Sequence, residues 1–221
     1  MAHAQGKTNW FAIVISAVVV VVLVALGAIV IWLNNQATDA GPAPSGDIVN
    51  AETGAISFGE GEDTVAVFID FMCPICNQFE QSYGQQLRAA AENGDITIEY
   101  HPIAILDRFS QGTDYSSRAA GAMFCVAEEA PDKALDYMDA LFENQPAENT
   151  PGLTDEQLAQ YATEVGAEGA ADCITEGTYK KYGVAQADAH EIAGTPTVEI
   201  NGERLDLQKQ TDFKKFTDLL G

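Results

Sequence analysis

Apolar residues fall along this chain in three rhythms, and each rhythm predicts a different element. From 10 to 33, "WFAIVISAVVVVVLVALGAIVIWL" runs without a single charged residue. As a helix it would span about 36 Å, slightly more than the ~30 Å hydrocarbon core of a bilayer. Trp10 and Trp32 stand near its ends, where amphipathic rings settle at the membrane interface. A cleavable secretory leader has a shorter apolar core, about 7 to 15 residues, and a small-residue exit site. "NNQATDAG" supplies no such site, so a retained single-span anchor is expected over 10–33.

The second rhythm is that of strands. "DTVAVFIDF" (63–71) is a continuous β-rich apolar run too short for a helix, which predicts a buried strand. "DITIEYHPI" (95–103) alternates as a half-buried strand does. "TPTVEI" and "ERLDL" read as two more strands, joined by Asn201-Gly202, a strong two-residue hairpin signal.

The third rhythm is helical. "PICNQFEQSYGQQLRAAAEN" (74–93) predicts a helix with Pro74 suited to its first turn, completing a strand–helix–strand unit. "PDKALDYMDALFEN" (131–144) sets Ala134, Leu135, Met138, Leu141 and Phe142 on one face. "TDEQLAQYATEVG" (154–166) opens on a capping box, Thr154 with Gln157, and closes on Gly166. Helices also follow from "TYKKYGVAQADAHEIAG" (178–194) and "TDFKKFTDLL" (211–220). "NNQATDAGPAPSGD" (34–47) is small, polar and rich in Pro and Gly, the composition of a flexible tether. The predicted order is a cytoplasmic N-terminus 1–9, a transmembrane anchor 10–33 and a linker 34–49. One α/β domain then covers 50–221, with a helical insertion at about 112–177.

Composition and charge narrow the function classes. With 47% hydrophobic residues in 221, the chain can bury a substantial core, which argues against wholesale disorder. The first 38 residues hold one cation, Lys7, and no acid, so the rest sets 33 acids against 10 bases within a total of −22. Such a surface repels nucleic acid and anionic headgroups, and reads as a well-solvated acidic exterior. Lys7 is the only cation flanking the anchor, the next being Arg88, so the bias points the N-terminus inward and the bulk outward. Outside the cytoplasm disulfides persist.

That compartment frames the four cysteines. "FMCPICNQF" (71–79) places Cys73 and Cys76 three positions apart, while Cys125 and Cys173 stand alone. A tetrahedral zinc site wants two close ligand pairs, and no histidine is spaced to complete one, so no metal is expected. A structural bridge from Cys73 to Cys76 would close a loop too short to restrain the unfolded chain much. A redox couple has a physical cause instead. Cys73 falls where strand gives way to helix, so unpaired N–H groups and the positive end of the helix favour its thiolate. Cys76 lies one turn on, within disulfide reach, and the pair predicts an exposed attacked sulfur with a resolving partner.

"VAVFIDFMCPICNQFE", the helical block and "GTPTVEINGERL" together resemble the DsbA-like thioredoxin-fold proteins, bacterial thiol-disulfide oxidoreductases, over roughly 50–221. The resemblance implies a thioredoxin fold with an inserted helical domain, Cys73 as nucleophile and Cys76 as the buried resolving cysteine. Pro74 and Ile75 form the intervening dipeptide. Pro196 matches the cis-proline facing the disulfide, and Thr195 before it offers backbone hydrogen bonds to the substrate chain. Two positions depart from the pattern. DsbA itself has histidine where this chain has Ile75, which implies a less stabilised thiolate and a less oxidising disulfide. Relatives often bury an acid six residues before the first cysteine; here Val67 stands there, leaving proton transfer to Cys76 to water or another route.

Cys125 and Cys173 are expected to form a structural disulfide within the helical block, the alternatives being two buried free cysteines or a second redox-active pair, which their lack of a close partner or proline framing disfavours. His101 is read as a structural residue at a strand end, and His3 as inert. His190 is a candidate to approach the cysteines if its helix packs beneath the GTPT loop. Phe68 is expected in the core, with Phe71 or Phe79 lining an apolar surface for unfolded substrates. The resulting expectation is an extracytoplasmic oxidase of secreted or cell-surface proteins, restored by a separate membrane oxidase and needing no bound cofactor. A reductase or isomerase on the same fold, and a redox-inert peptide-binding chaperone, are the alternatives. No dimerisation segment is seen, so a monomer is expected.

Overall fold

The computed structural model describes residues 10–37 and 40–220; within the first stretch the side chains of 11–13, 16–17 and 30–37 lie outside the described ones. Lys7, His3 and the expected cytoplasmic segment 1–9 also lie outside them. The chain divides into two compact units, Met1–Asp39 and Ala40–Gly221. The first contains helix α1, Trp10–Ala37, of 28 residues. Its described apolar side chains from Val18 to Ile29 are exposed. Among the described residues no helix is long and apolar enough to cross a membrane. The backbone of α1 covers the whole stretch expected to span, but many of the side chains that make that stretch continuous lie outside the described set.

The second unit is built on a six-stranded sheet, β1 (Val49–Asn50), β2 (Ala55–Phe58), β3 (Asp63–Ile69), β4 (Ile96–Pro102), β5 (Thr197–Ile200) and β6 (Glu203–Arg204), in the order β1-β2-β4-β3-β5-β6. β3 and β4 pair in parallel, Val67 opposite Tyr100, while β5 lies antiparallel on the other side of β3, with Val198 opposite Val67. A strand in the middle of such a sheet is covered on both faces, which is why its sequence reads as an unbroken apolar run rather than an alternation. Val65, Val67, Phe68 and Ile69 are accordingly buried. The Asn201-Gly202 turn has φ of 51° and 79°, the two positive values that a hairpin of this length needs.

The β3–β4 crossover differs from the single helix expected over 74–93. It begins as α2 (Pro74–Phe79), widens into a π turn over Glu80–Gly84, and resumes as α3 (Gln85–Glu92). The strands β1 and β2 had no counterpart in the sequence reading, because each is too short to show alternation. The strand expected over 203–207 stops at Arg204, and Leu205 and Leu207 turn instead toward the cleft beside the cysteines.

Between β4 and β5 lies the helical insertion: α4 (Tyr115–Glu129), α5 (Ala134–Glu143), α6 (Asp155–Glu164), α7 (Ala171–Glu176) and α8 (Lys180–Ala189). α4 is its hub, buried from Tyr115 to Ala127 except at Arg118. A helix apolar all round must be enclosed by its neighbours. α6 starts with the capping box, Gln157 N–H donating to Thr154 Oγ1 at 3.3 Å and Thr154 N–H to Gln157 Oε1 at 2.9 Å. A disulfide joins Cys125 of α4 to Cys173 of α7 across 48 residues. Replacing both cysteines by alanine is expected to lower unfolding stability by about 2 to 4 kcal/mol, read from denaturant midpoints, since a loop of this size restrains the unfolded chain strongly. A last helix, α9 (Gln210–Asp218), buries Phe216 against Phe79 and Tyr83.

Candidate active site

The cysteine pair is positioned by the way β3 ends. After Ile69 the chain turns sharply, Cys73 N–H donating to the Asp70 carbonyl at 2.9 Å, and Pro74 opens α2 where its missing N–H costs nothing. Cys73 thus stands at the N-cap and its carbonyl accepts from Cys76 and Asn77 N–H at 3.1 and 3.3 Å. Both cysteines are free thiols. The expected exposure of the first sulfur needs correcting: Cys73 retains 6% of its surface and Cys76 none.

Thr195 and Pro196 face the pair from the start of β5. Their peptide bond is cis, and the Thr195 carbonyl lies 3.3 Å from Cys73 Sγ. A cleft of about 510 Å³ opens alongside, lined by Ile75, Phe79, Tyr83, Pro196, Leu205 and Leu207 among others. Of the two aromatics expected to line an apolar surface, Phe79 contributes to the wall of this cleft and Phe71 does not. Phe71 is fully buried against Phe142, and Phe79 keeps 6%. The exposed apolar side chain at the pair is Ile75, with 53% of its surface in solvent.

The two sulfurs are electrostatically unequal. The Cys76 thiol beside Cys73 brings its pKa down to about 6; burial works against this, and Thr195 and the backbone at Cys76 and Ile75 support it. Burial pushes the Cys76 thiol well above its ordinary range, and the neighbouring Cys73 pushes it further. At neutral pH the reduced pair therefore holds one thiolate, on Cys73, and one proton, on Cys76. Because only a thiolate is alkylated, labelling of the reduced protein by iodoacetamide is expected to be slow in acid and half-maximal near pH 6, with Cys76 silent. A midpoint near 9 would show that the neighbours do not stabilise the anion.

Val67, six residues before Cys73, is fully buried and apolar and offers no proton to the pair. Two buried acids flank the site, and neither was singled out from the sequence. Asp70 is fully buried three residues before Cys73. Its Oδ1 accepts from Met72 N–H at 2.9 Å and the Ser116 hydroxyl at 2.7 Å; its Oδ2 accepts from Ile105 and Leu106 N–H at 2.9 and 3.0 Å. Burial pushes its carboxyl up and these donors pull it back. With four donors on its two oxygens, Asp70 pins three segments together. The signal for it was a lone acid ending an apolar strand.

Glu80 sits one turn beyond Cys76, with its Oε2 accepting from Tyr100 Oη at 3.1 Å and 3.9 Å from Arg88. Burial raises its pKa to about 7 against the pull of Arg88. A side chain at Gly84 would come within 2.6 Å of that oxygen, so glycine there gives the carboxylate its seat.

His101 and His190 lie elsewhere. His101 Nδ1 and His190 Nε2 both meet the Thr53 carbonyl, at 3.1 and 2.7 Å, with Phe68 stacked on His101. His190 is thereby held in this cluster with Thr53, Phe68 and His101. Among the described residues no group of His, Cys, Asp and Glu could hold a metal ion.

Comparison with known proteins agrees with this geometry. A family model described as Thioredoxin matches residues 56–219. Over 137 residues, 60% of this chain, the sequence is 35% identical to the serine/threonine-protein kinase PknE of Mycobacterium tuberculosis, and the chain spans 24% of that protein's length. Disulfide bond formation protein D of Bacillus subtilis is 26% identical over 176 residues, covering 76% of each chain. The crystal structure of reduced DsbA from Mycobacterium tuberculosis matches with a TM-score of 0.68 at 29% identity, covering 76% of this chain and 93% of that one. The fold, the dithiol at the head of α2 and these relatives agree: the chain belongs to the thioredoxin family, as a DsbA-like thiol-disulfide oxidoreductase.

Proposed function

We propose that this protein is an extracytoplasmic oxidase that introduces disulfides into secreted or cell-surface proteins. The observation that carries the direction is the inequality of the two sulfurs, with Cys73 at about 6 and Cys76 pushed well up. A stabilised Cys73 thiolate favours the reduced enzyme, and an enzyme stable when reduced gives its disulfide away.

The electrons balance as follows. A substrate thiolate attacks Cys73 Sγ of the oxidised pair; the Cys73–Cys76 bond breaks and Cys76 leaves, taking a proton. The substrate's second thiolate then attacks its own sulfur in the mixed disulfide and expels Cys73 as the thiolate. The substrate has lost two electrons and the enzyme has gained them. Thr195 offers its backbone to the substrate chain, Pro196 closes the opposite wall, and Pro74 and Ile75 shape the turn and its apolar lip. No bound cofactor enters these steps. A membrane oxidase restores the disulfide.

The uncharged run supports retention of 10–33 as a membrane anchor, with 1–9 inside, 34–49 as tether and the domain 50–221 outside as a monomer. Deleting residues 1–33 is then expected to move the protein from the membrane to the soluble fraction; persistence in the membrane fraction would refute the anchor.

The deciding measurement is the reduction potential of the Cys73–Cys76 pair against glutathione, with Cys125 and Cys173 left bridged. A value toward about −120 mV is expected for a disulfide donor; one near about −270 mV, like thioredoxin, would make the protein a reductant. A redox-inert binding module would keep its function in Cys73→Ala.

A further inference from the structure

The turn carrying Cys73 is gripped from the helical insertion as well as from the sheet. Gln145, just past the end of α5, reaches back to it. Its Nε2 donates to the Phe71 carbonyl at 3.0 Å and to the Cys73 carbonyl at 2.9 Å. Its Oε1 accepts from Asn77 Nδ2 at 3.2 Å, and that same nitrogen donates to the Phe142 carbonyl at 2.9 Å. Asn77 Oδ1 accepts in turn from Gln81 Nε2 at 2.9 Å. Chemistry fixes which way both amides point. Phe71, Cys73 and Phe142 offer only carbonyl oxygens here, so only NH₂ groups can face them. Both protons on Gln145 and both on Asn77 are used. None of the three amide side chains titrates, so the chain of bonds is the same in acid and in base.

The Cys73 carbonyl is also the acceptor that starts α2, taking the Cys76 and Asn77 N–H groups. Gln145 adds a third donor from outside the helix, and by holding the Phe71 carbonyl as well it fixes the peptides on both sides of the Met72–Cys73 step. A backbone held at these two points fixes the first turn of α2, whose backbone at Ile75 and Cys76 supports the Cys73 thiolate. Successive donors on one carbonyl also polarise its surroundings in favour of a nearby anion.

We propose that Gln145 is a positioning residue for thiol-disulfide exchange: by clamping the Phe71 and Cys73 carbonyls it holds the backbone donors around the Cys73 sulfur and helps set how oxidising the pair is. The inference rests on the reading of Cys73 as the attacked sulfur, and not on the direction in which electrons flow.

The test uses the full chain with Cys125 and Cys173 bridged, in three forms: Gln145→Ala, Gln145→Glu and Asn77→Ala. Two quantities are read, the thiolate absorbance of the reduced protein against pH and the equilibrium with glutathione. Gln145→Ala is expected to move the Cys73 titration upward and to make the pair less oxidising by about threefold to tenfold, which for this two-electron couple is about 15 to 30 mV. Gln145→Glu keeps the size but has no donor, and is expected to shift both further in the same direction. Asn77→Ala leaves the Gln145 donors but frees their orientation, and a smaller shift is expected; it also carries the test if Gln145→Glu does not fold. If titration and equilibrium stay within twofold of the unaltered protein in Gln145→Ala and Asn77→Ala, the proposal is overturned, whatever happens to thermal stability. A low starting potential together with the Gln145 shift would sink the oxidase reading and leave the clamp standing.

Discussion

Serine in place of Cys73 is expected to bring disulfide transfer to a reduced, unfolded protein down to the uncatalysed level, a loss of at least about a thousandfold. The hydroxyl is not ionised near neutral pH and cannot share a disulfide, so neither the attack nor the mixed disulfide is open to it. Cys76→Ser gives a different outcome from the same pair. Cys73 still exchanges with a disulfide, but nothing inside the protein resolves the adduct, and the covalent complex accumulates on a non-reducing gel. Turnover in Cys73→Ser, or no adduct with Cys76→Ser, would remove these two residues from the reaction. The burial of Cys76 and the small opening at Cys73 make the assignment of roles asymmetric, since only one sulfur can be reached from the cleft.

Asp70→Asn is expected to be the most damaging single change to the fold, at about 3 kcal/mol or more in urea unfolding. Asparagine can keep one oxygen for Met72 N–H and the Ser116 hydroxyl. It then turns an NH₂ toward the N–H groups of Ile105 and Leu106, which lose the Oδ2 that accepts from them. Buried donors left without an acceptor cost about 1 to 3 kcal/mol each, and the relief from burying a charge offsets only part of it. The change also loosens the peptide to which Cys73 N–H donates, so exchange should slow along with the loss of stability. A variant within about 0.5 kcal/mol of the unaltered protein, the range of ordinary surface changes, would mean that these segments hold without the carboxylate.

What the sequence showed and what it hid divide by distance along the chain. Cys73, Pro74 and Cys76 announce themselves because their geometry is local, a strand end followed by the first turn of a helix. The Asn201-Gly202 hairpin and the Thr154 and Gln157 cap were legible for the same reason: each is settled within four residues. Gln145 and Asp70 were much less so, because the partners that define their roles, Cys73 and Leu106, lie 72 and 36 residues away. Phe71 was misplaced in the same way. An aromatic beside a motif suits a binding surface or a core equally well, and for Phe71 the choice is made by Phe142, from another part of the chain. The strands β1 and β2 escaped because a strand of two or four residues has no period to detect; the edge of β4 recruits β2, and β2 recruits β1.

The π turn at Glu80–Gly84 bears on which changes of chain length this fold can tolerate. A π turn accommodates one residue more than the α turn it replaces, and each α-helical residue rotates the chain by about 100°. Deleting one residue there would yield a more regular helix, and a secondary-structure argument would welcome it. Yet everything beyond would turn by that angle relative to Cys76 and Phe79. Leu87, Ala90 and Ala91 would then leave the core while the cysteines stayed, or the cysteines would swing away from Thr195 while the core stayed. Length variants in this family line should accordingly avoid the interval between the cysteines and Asn93, and an engineered shortening meant to straighten the helix should inactivate the protein rather than stabilise it.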